Sequence, residues 1–207
     1  HFFVWQPLTH MFMHGGWMHL LFNMYALWAF GSPLEAQWGR NKFLFFYFSA
    51  GLGAALIHSL VNFYHVSSGI EALMSLGMSQ QEVWSLLNNT LDPGSYRVIP
   101  ELGTQAQSFF TAYNTPAVGA SGAIYGVLVA FGLLYPHVEL MLIFVPFPIK
   151  AKYFIPILIG LDLFSGLTGT SLLGQNIANW AHIGGALFGF LMAYYWKKNS
   201  FNDRRWD

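Results

Sequence analysis

The chain has 207 residues, of which 55% are hydrophobic, 18% aromatic and only 9% charged; a soluble domain carries about 25% charged residues, so the composition excludes an ordinary soluble enzyme and indicates a membrane protein. Formal net charge is zero and the pI is near 7.3, which argues against a nucleic-acid partner. No cysteine is present, which excludes disulfides and a thiol nucleophile.

Five apolar stretches follow in chain order, at 17–31, 43–64, 117–135, 153–173 and 180–196. A membrane span needs about 20 apolar residues, within a range of about 17–25. The first stretch reaches that length by extension back through the histidine-bearing 9–16 region. The expected fold class is all-α: a polytopic transmembrane helix bundle over 1–198, with 199–207 as a short cytoplasmic tail. The connections sort by charge. Arg40 and Lys42 follow the first stretch, Lys150 and Lys152 the third, and Lys197, Lys198, Arg204 and Arg205 the fifth. Only Arg97 falls on the other side, among Glu71, Glu82, Asp92 and Glu101. The positive-inside rule makes the Lys/Arg side cytoplasmic and puts residues 1–16 outside.

The 65–116 connection is long for a bundle loop and is expected to be an extracytoplasmic insertion with short helices. Ser68-Gly69-Ile70-Glu71 and Ser79-Gln80-Gln81-Glu82 both have the capping-box form, in which Ser and Glu satisfy free N–H groups at a helix start. Gly77 is placed to end the first helix, and Asp92-Pro93-Gly94 reads as a turn after the second. Val83, Trp84, Leu86 and Leu87 give the second helix an apolar face. That face lies either at the membrane surface or on the protein's own outer face.

Two motifs carry chemistry. Gly119-Ala120-Ser121-Gly122 and Ala181-His182-Ile183-Gly184-Gly185 each open a membrane-length apolar segment. Polar groups in a membrane are costly, and those that persist are usually functional. A serine beside a histidine is the minimal equipment for nucleophilic acyl transfer. The topology puts Ser121 and His182 near the outer ends of the third and fifth spans, at similar depth. Ordinary helices pack with axes 8–10 Å apart, too far for two such short side chains to meet unaided. Gly122 with Gly126, and Gly185 with Gly189, form small-xxx-small faces that permit closer approach. Tyr125 follows Ser121 by four residues, hence on the same helical face, placed to lay its ring against His182.

Acyl transfer also needs donors for the developing oxyanion. His19 and Asn23, spaced i, i+4 on an otherwise apolar helix, supply two, and the Ser121 backbone N–H a third; the competing role for that pair is helix–helix hydrogen bonding. Asp162 is the only acid deep in an expected span. It lies mid-helix while Ser121 and His182 sit near the outer surface, so the expectation is a Ser–His dyad without an orienting acid. Asp162 then pairs with a hydroxyl or backbone group inside the bundle. A metal-dependent hydrolase is the rival enzyme, because His10 and His14 have ligand spacing and His19 follows. Nothing resembles His-Glu-x-x-His, and Gly15-Gly16 interrupts a continuous helix, so no metal and no cofactor are expected.

In order and placement, His19-Leu20-Leu21-Phe22-Asn23, Gly119-Ala120-Ser121-Gly122 and Ala181-His182-Ile183-Gly184-Gly185 resemble the three signature motifs of the rhomboid intramembrane serine proteases. The resemblance implies a six-helix core whose first span precedes residue 1. It implies Ser121 as nucleophile, His182 as base, and His19 and Asn23 as oxyanion donors. Tyr125 matches the position that stacks on the catalytic histidine, and Gly119 is the first glycine of the GxSG motif. Gly122, Gly185, Gly189 and Asn179 join the supporting set. The implied substrates are single-pass transmembrane proteins, cut within the lipid bilayer near its outer face, at small residues beside helix-weakening sequence. The implied location is the plasma (inner) membrane, with the active site towards the non-cytoplasmic side. The alternative is a non-catalytic rhomboid-like scaffold that binds transmembrane helices, which needs the fold but not the four polar residues. Two departures stand out: Trp5-Gln6 occupies a place where many members carry Trp-Arg, and 65–116 is longer than in compact bacterial members.

Overall fold

A computed structural model describes residues 3–89, 109, 112–113, 119–141, 147–169, 178–199, 201 and 205–206. It is helical almost throughout, as apolar segments must be where lipid offers no partner for backbone N–H and C=O groups. Helix α1 (Gln6–Thr9) carries Pro7 in its first turn and passes into a 3₁₀ turn at His10–Phe12. Helix α2 (Trp17–Ala26) continues through a π turn at Leu27–Gly31 into α3 (Ser32–Trp38). Helix α4 (Arg40–Ser75) has 36 residues and α5 spans Gln80–Asn89. Then come α6 (Ser121–Leu134), the two-residue strands β1 (Glu139–Leu140) and β2 (Ile149–Lys150), α7 (Ala151–Thr168) and α8 (Asn179–Lys198).

Among the described residues, α4 and α7 are the helices long and apolar enough to cross a membrane by length and composition. The chain is mostly helical, as the all-α expectation has it; the one addition among the described residues is the short antiparallel β1–β2 ladder, which pairs Glu139 with Lys150 and Leu140 with Ile149. The second apolar stretch does not stop at 64. At 36 residues, α4 is about 54 Å long, well beyond the hydrocarbon core of about 30 Å. Ser68-Gly69-Ile70-Glu71 therefore caps nothing: Ser68 lies inside α4, its hydroxyl donating to the His65 carbonyl at 3.3 Å, a back-bond open to any helical serine. The second capping box does form. The Glu82 carboxylate accepts from the Ser79 N–H and hydroxyl, both at 2.7 Å, and the Glu82 N–H donates to Ser79 Oγ at 3.3 Å. Gly77, at φ 92°, follows the end of α4, and the Asp92-Pro93-Gly94 turn lies outside the described residues.

The chain divides into two compact units, 1–58 with 117–207, and 59–116. In the first, α6 is the central element, buried along Gly122–Phe131. A Cβ added at Gly122 or Gly126 would overlap Ala54 or Ala50 of α4, and Gly126 also faces the Gly185 carbonyl of α8. Small residues on both sides thus let α6 lie close against α4 and α8. In the second unit, Leu73, Val83, Leu87 and Phe109 form a small core.

The stretch expected as a tail packs back on the first unit where it is described. Lys42 is fully buried and donates to the Phe201 carbonyl. Its ammonium lies 4.7 Å from the Trp196 ring centroid, 5.1 Å from Phe201, 5.8 Å from Trp38 and 5.9 Å from Trp206. The Trp206 N–H donates to the Trp38 carbonyl at 3.2 Å.

Candidate active site

Ser121 is the first residue of α6. The chain reaches it through Gly119 at φ 113°, a backbone region that L side chains rarely adopt. A donation from the Gly119 N–H to the His10 carbonyl at 2.9 Å holds that approach in place. His182 lies in the first turn of α8. The two helices touch through backbone: a Cβ at Gly185 would overlap the Gly122 carbonyl, and one at Gly189 the Gly126 Cα. At that separation the short side chains meet. Ser121 Oγ lies 2.9 Å from His182 Nε2, and the Tyr125 ring stacks on the imidazole at 4.1 Å and 11°.

The expectation for Asp162 needs correction. It does accept from a hydroxyl, that of Tyr125, but its other oxygen lies 3.2 Å from His182 Nδ1. The error was one of depth. The apolar stretch was carried to 173, which put Asp162 at mid-span. Helix α7 ends at Thr168 on a left-handed Gly169 cap at φ 69°, so Asp162 sits within two turns of the helix end. Gly169, the residue on which the helix ends, lies within the apolar stretch that runs on to 173.

His19 and Asn23 lie on α2, and both face the backbone at Gly119. The position of a Cβ at Gly119 falls 2.8 Å from His19 Nε2 and 3.6 Å from Asn23 Nδ2. The Gly15 N–H donates to His19 Nδ1 at 3.3 Å. A nitrogen that accepts carries no proton, so the His19 proton is on Nε2, the atom facing Gly119. Asn23 is buried, and its Nδ2 has no hydrogen-bond partner among the described residues. The N–H of Ser121, at a helix start, has no intrahelical acceptor. His19 and Asn23 thus face the backbone two residues ahead of Ser121, whose own N–H is a third donor.

The remaining residues fall around this centre. Asn179 opens α8 ahead of His182, with no described contact to the pair. The His14 ring meets the His19 ring edge-on at 5.3 Å; His10 instead pairs its Nδ1 with the Gln6 carbonyl at 3.2 Å. Among the described residues no group of three or more metal-ligating side chains forms. Gln6 is exposed, its Oε1 accepting from the Phe3 N–H at 3.0 Å. An apolar groove of about 630 Å³, lined by residues such as Val129, Ile155, Gly160 and Phe190, contains neither Ser121 nor His182.

Fold and site together define a helical, membrane-type chain with a serine and a histidine joined at the heads of two tightly packed helices. The family described as Rhomboid domain matches residues 1–86 and 96–199, and the chain belongs to this rhomboid family, an integral membrane family. It is 28% identical to Rhomboid protease AarA of Providencia stuartii, over 91% of this chain and 54% of that protein. It is 28% identical to Rhomboid protease GluP of Bacillus subtilis, over 91% and 25%. To Rhomboid protein 1, mitochondrial, of Saccharomyces cerevisiae it is 27% identical, over 90% and 40%. The chain thus spans about half the length of these relatives, or less. No solved structure matches it.

Proposed function

We propose that this chain is a serine-type intramembrane endopeptidase acting on single-pass transmembrane proteins. The observation that carries the reading is the 2.9 Å contact between Ser121 Oγ and His182 Nε2. Ser121 Oγ attacks the scissile carbonyl carbon while its proton passes to His182 Nε2. The tetrahedral oxyanion accepts hydrogen bonds from His19 Nε2, Asn23 Nδ2 and the Ser121 N–H, donors that act where charge develops. Collapse breaks the C–N bond, and the leaving amine takes the proton from His182. Water, deprotonated by the same imidazole, then hydrolyses the Ser121 ester. Substrates need helix-weakening sequence at the cut, because a carbonyl in an intact α-helix is already hydrogen-bonded and shielded.

The Lys/Arg distribution supports a site opening to the non-cytoplasmic face. Relatives named mitochondrial stand beside bacterial ones; by analogy with the bacterial members the membrane is the plasma membrane. The test is labelling of the purified protein with a fluorophosphonate, which traps activated serines. Labelling and cleavage of a transmembrane substrate should both vanish in Ser121→Ala and in His182→Ala, with folding kept. The double variant should be little worse than either single one, as for members of one catalytic unit. Substantial cleavage by Ser121→Ala rejects the serine mechanism; a folded wild type that neither labels nor cleaves is a scaffold.

A further inference from the structure

We propose that Asp162 is a positioning residue that makes the site a Ser121–His182–Asp162 array, with Tyr125 locking acid and imidazole into one rigid unit. The inference rests on the serine-peptidase reading and goes beyond it, since neither the motifs nor the sequence-based expectation of a dyad contains an acid.

The argument starts from cost. Asp162 is fully buried on a helix of membrane length and composition, where an uncompensated carboxylate is strongly unfavourable. Both of its oxygens are engaged, Oδ1 with His182 Nδ1 at 3.2 Å and Oδ2 with the Tyr125 hydroxyl. An ionised carboxylate only accepts hydrogen bonds, so His182 Nδ1 must carry the proton. Its Nε2 is then left as a lone pair, and that is the atom 2.9 Å from Ser121 Oγ. One buried oxygen thereby selects the imidazole tautomer able to act as base. During attack the ring becomes an imidazolium, and the adjacent carboxylate stabilises that charge in a medium where pairing is strong. The Nδ1 proton stays on the ring, and Asp162 stays a carboxylate throughout.

Tyr125 has two roles in this unit. Its ring stacks on His182 at 4.1 Å and its hydroxyl donates to Asp162. The imidazole is thus held in plane by the ring and in rotation by the carboxylate. Three helices contribute: α6 brings Ser121 and Tyr125, α8 brings His182, and α7 brings Asp162 at a depth set by the Gly169 cap.

The test compares wild type, Asp162→Asn, Asp162→Glu and Tyr125→Phe, each as the full chain in lipid nanodiscs. Measurements are kcat and KM on a transmembrane substrate, the fluorophosphonate labelling rate, melting temperature, and ¹⁵N resonances of His182. The amide of Asp162→Asn is able to donate to Nδ1 and so to favour the wrong tautomer. In that variant kcat and labelling should fall about 10²–10⁴-fold, with KM within about threefold and the His182 proton moved to Nε2. Asp162→Glu, which keeps the acceptor, should recover part of the rate; Tyr125→Phe should show a smaller loss with the tautomer preserved. A merely structural Asp162 would lower melting temperature and active fraction together, with normal kcat per labelled site, and that result overturns the proposal. Labelling of folded Asp162→Asn at the wild-type rate overturns it alone and leaves the serine mechanism standing. A wild type inert to the probe overturns both.

Discussion

Asn23 is a buried side chain whose amide nitrogen finds no partner among the described residues. Leaving such a donor unpaired costs about 1–3 kcal/mol, and an oxyanion bound beside it would supply the missing acceptor. The oxyanion role makes a prediction that separates stability from rate. Asn23→Leu, of similar volume but without the orphan donor, should melt at or above the wild-type temperature. Its kcat should nevertheless fall about 10²–10³-fold, the loss typical of one dominant oxyanion donor. His19→Ala should behave alike in kcat, with little change in KM, because the donors act on developing charge. Structural polar glue would give the reverse: a lower melting temperature and a normal single-turnover rate in the folded fraction. These residues were legible in the sequence because each is a polar group interrupting an apolar helix face. Asp162 was equally visible as a residue, yet its partner was not, because partnership depends on depth and depth on where α7 stops.

At the scale of elements, the contact that matters is between α6 and α8. With Gly122 and Gly185 in backbone contact, Gly185→Ala must push the helices apart. Overpacking of this kind costs about 1–3 kcal/mol, occasionally more, and it widens the Ser121–His182 gap without touching either residue. Cleavage should therefore be lost far out of proportion to the drop in melting temperature. Gly160→Ala on α7 is the matched control: its added Cβ meets nothing within 4 Å, so it should keep full activity and gain up to about 1 kcal/mol from helix propensity. The glycine spacing suggested this approach from sequence, whereas the opposing Ala50 and Ala54 of α4 carried no signal of their own. Helix α5 gives a pH prediction. Hydrogen bonds from the Ser79 N–H and hydroxyl hold the Glu82 carboxyl below its usual 4.5. A depressed folded value means the cap's contribution is fully present above that range and is lost as pH falls through the folded value. Amide-exchange protection across 80–87, taken relative to the intrinsic rate at each pH, should fall on acidification below pH 4.5, and in Glu82→Ala it should be low at every pH.

For the whole molecule, the apolar runs foretold where most of the helices lie. What they missed was continuity. The apolar run ends at 64, where His65 and Ser67-Ser68 follow, yet helix α4 runs through these residues to Ser75. Beyond the hydrocarbon a helix no longer needs an apolar surface, so polarity marks the membrane boundary and not the helix boundary. The second unit, 59–116, begins inside α4, and its core includes Phe109, which lies outside every apolar run of membrane length. The aromatic box around Lys42 was likewise invisible, since its walls come from residues 38, 196, 201 and 206. The amine it encloses, fully buried and hydrogen-bonded to the Phe201 carbonyl, is withdrawn from the set of nucleophiles that acylating reagents can find. Lys42 thereby becomes a chemical timer. The rate at which a lysine-directed label reaches it records how often residues 201 and 206 lift away, while Lys150 and Lys152, outside the box, supply the reference rate in the same sample.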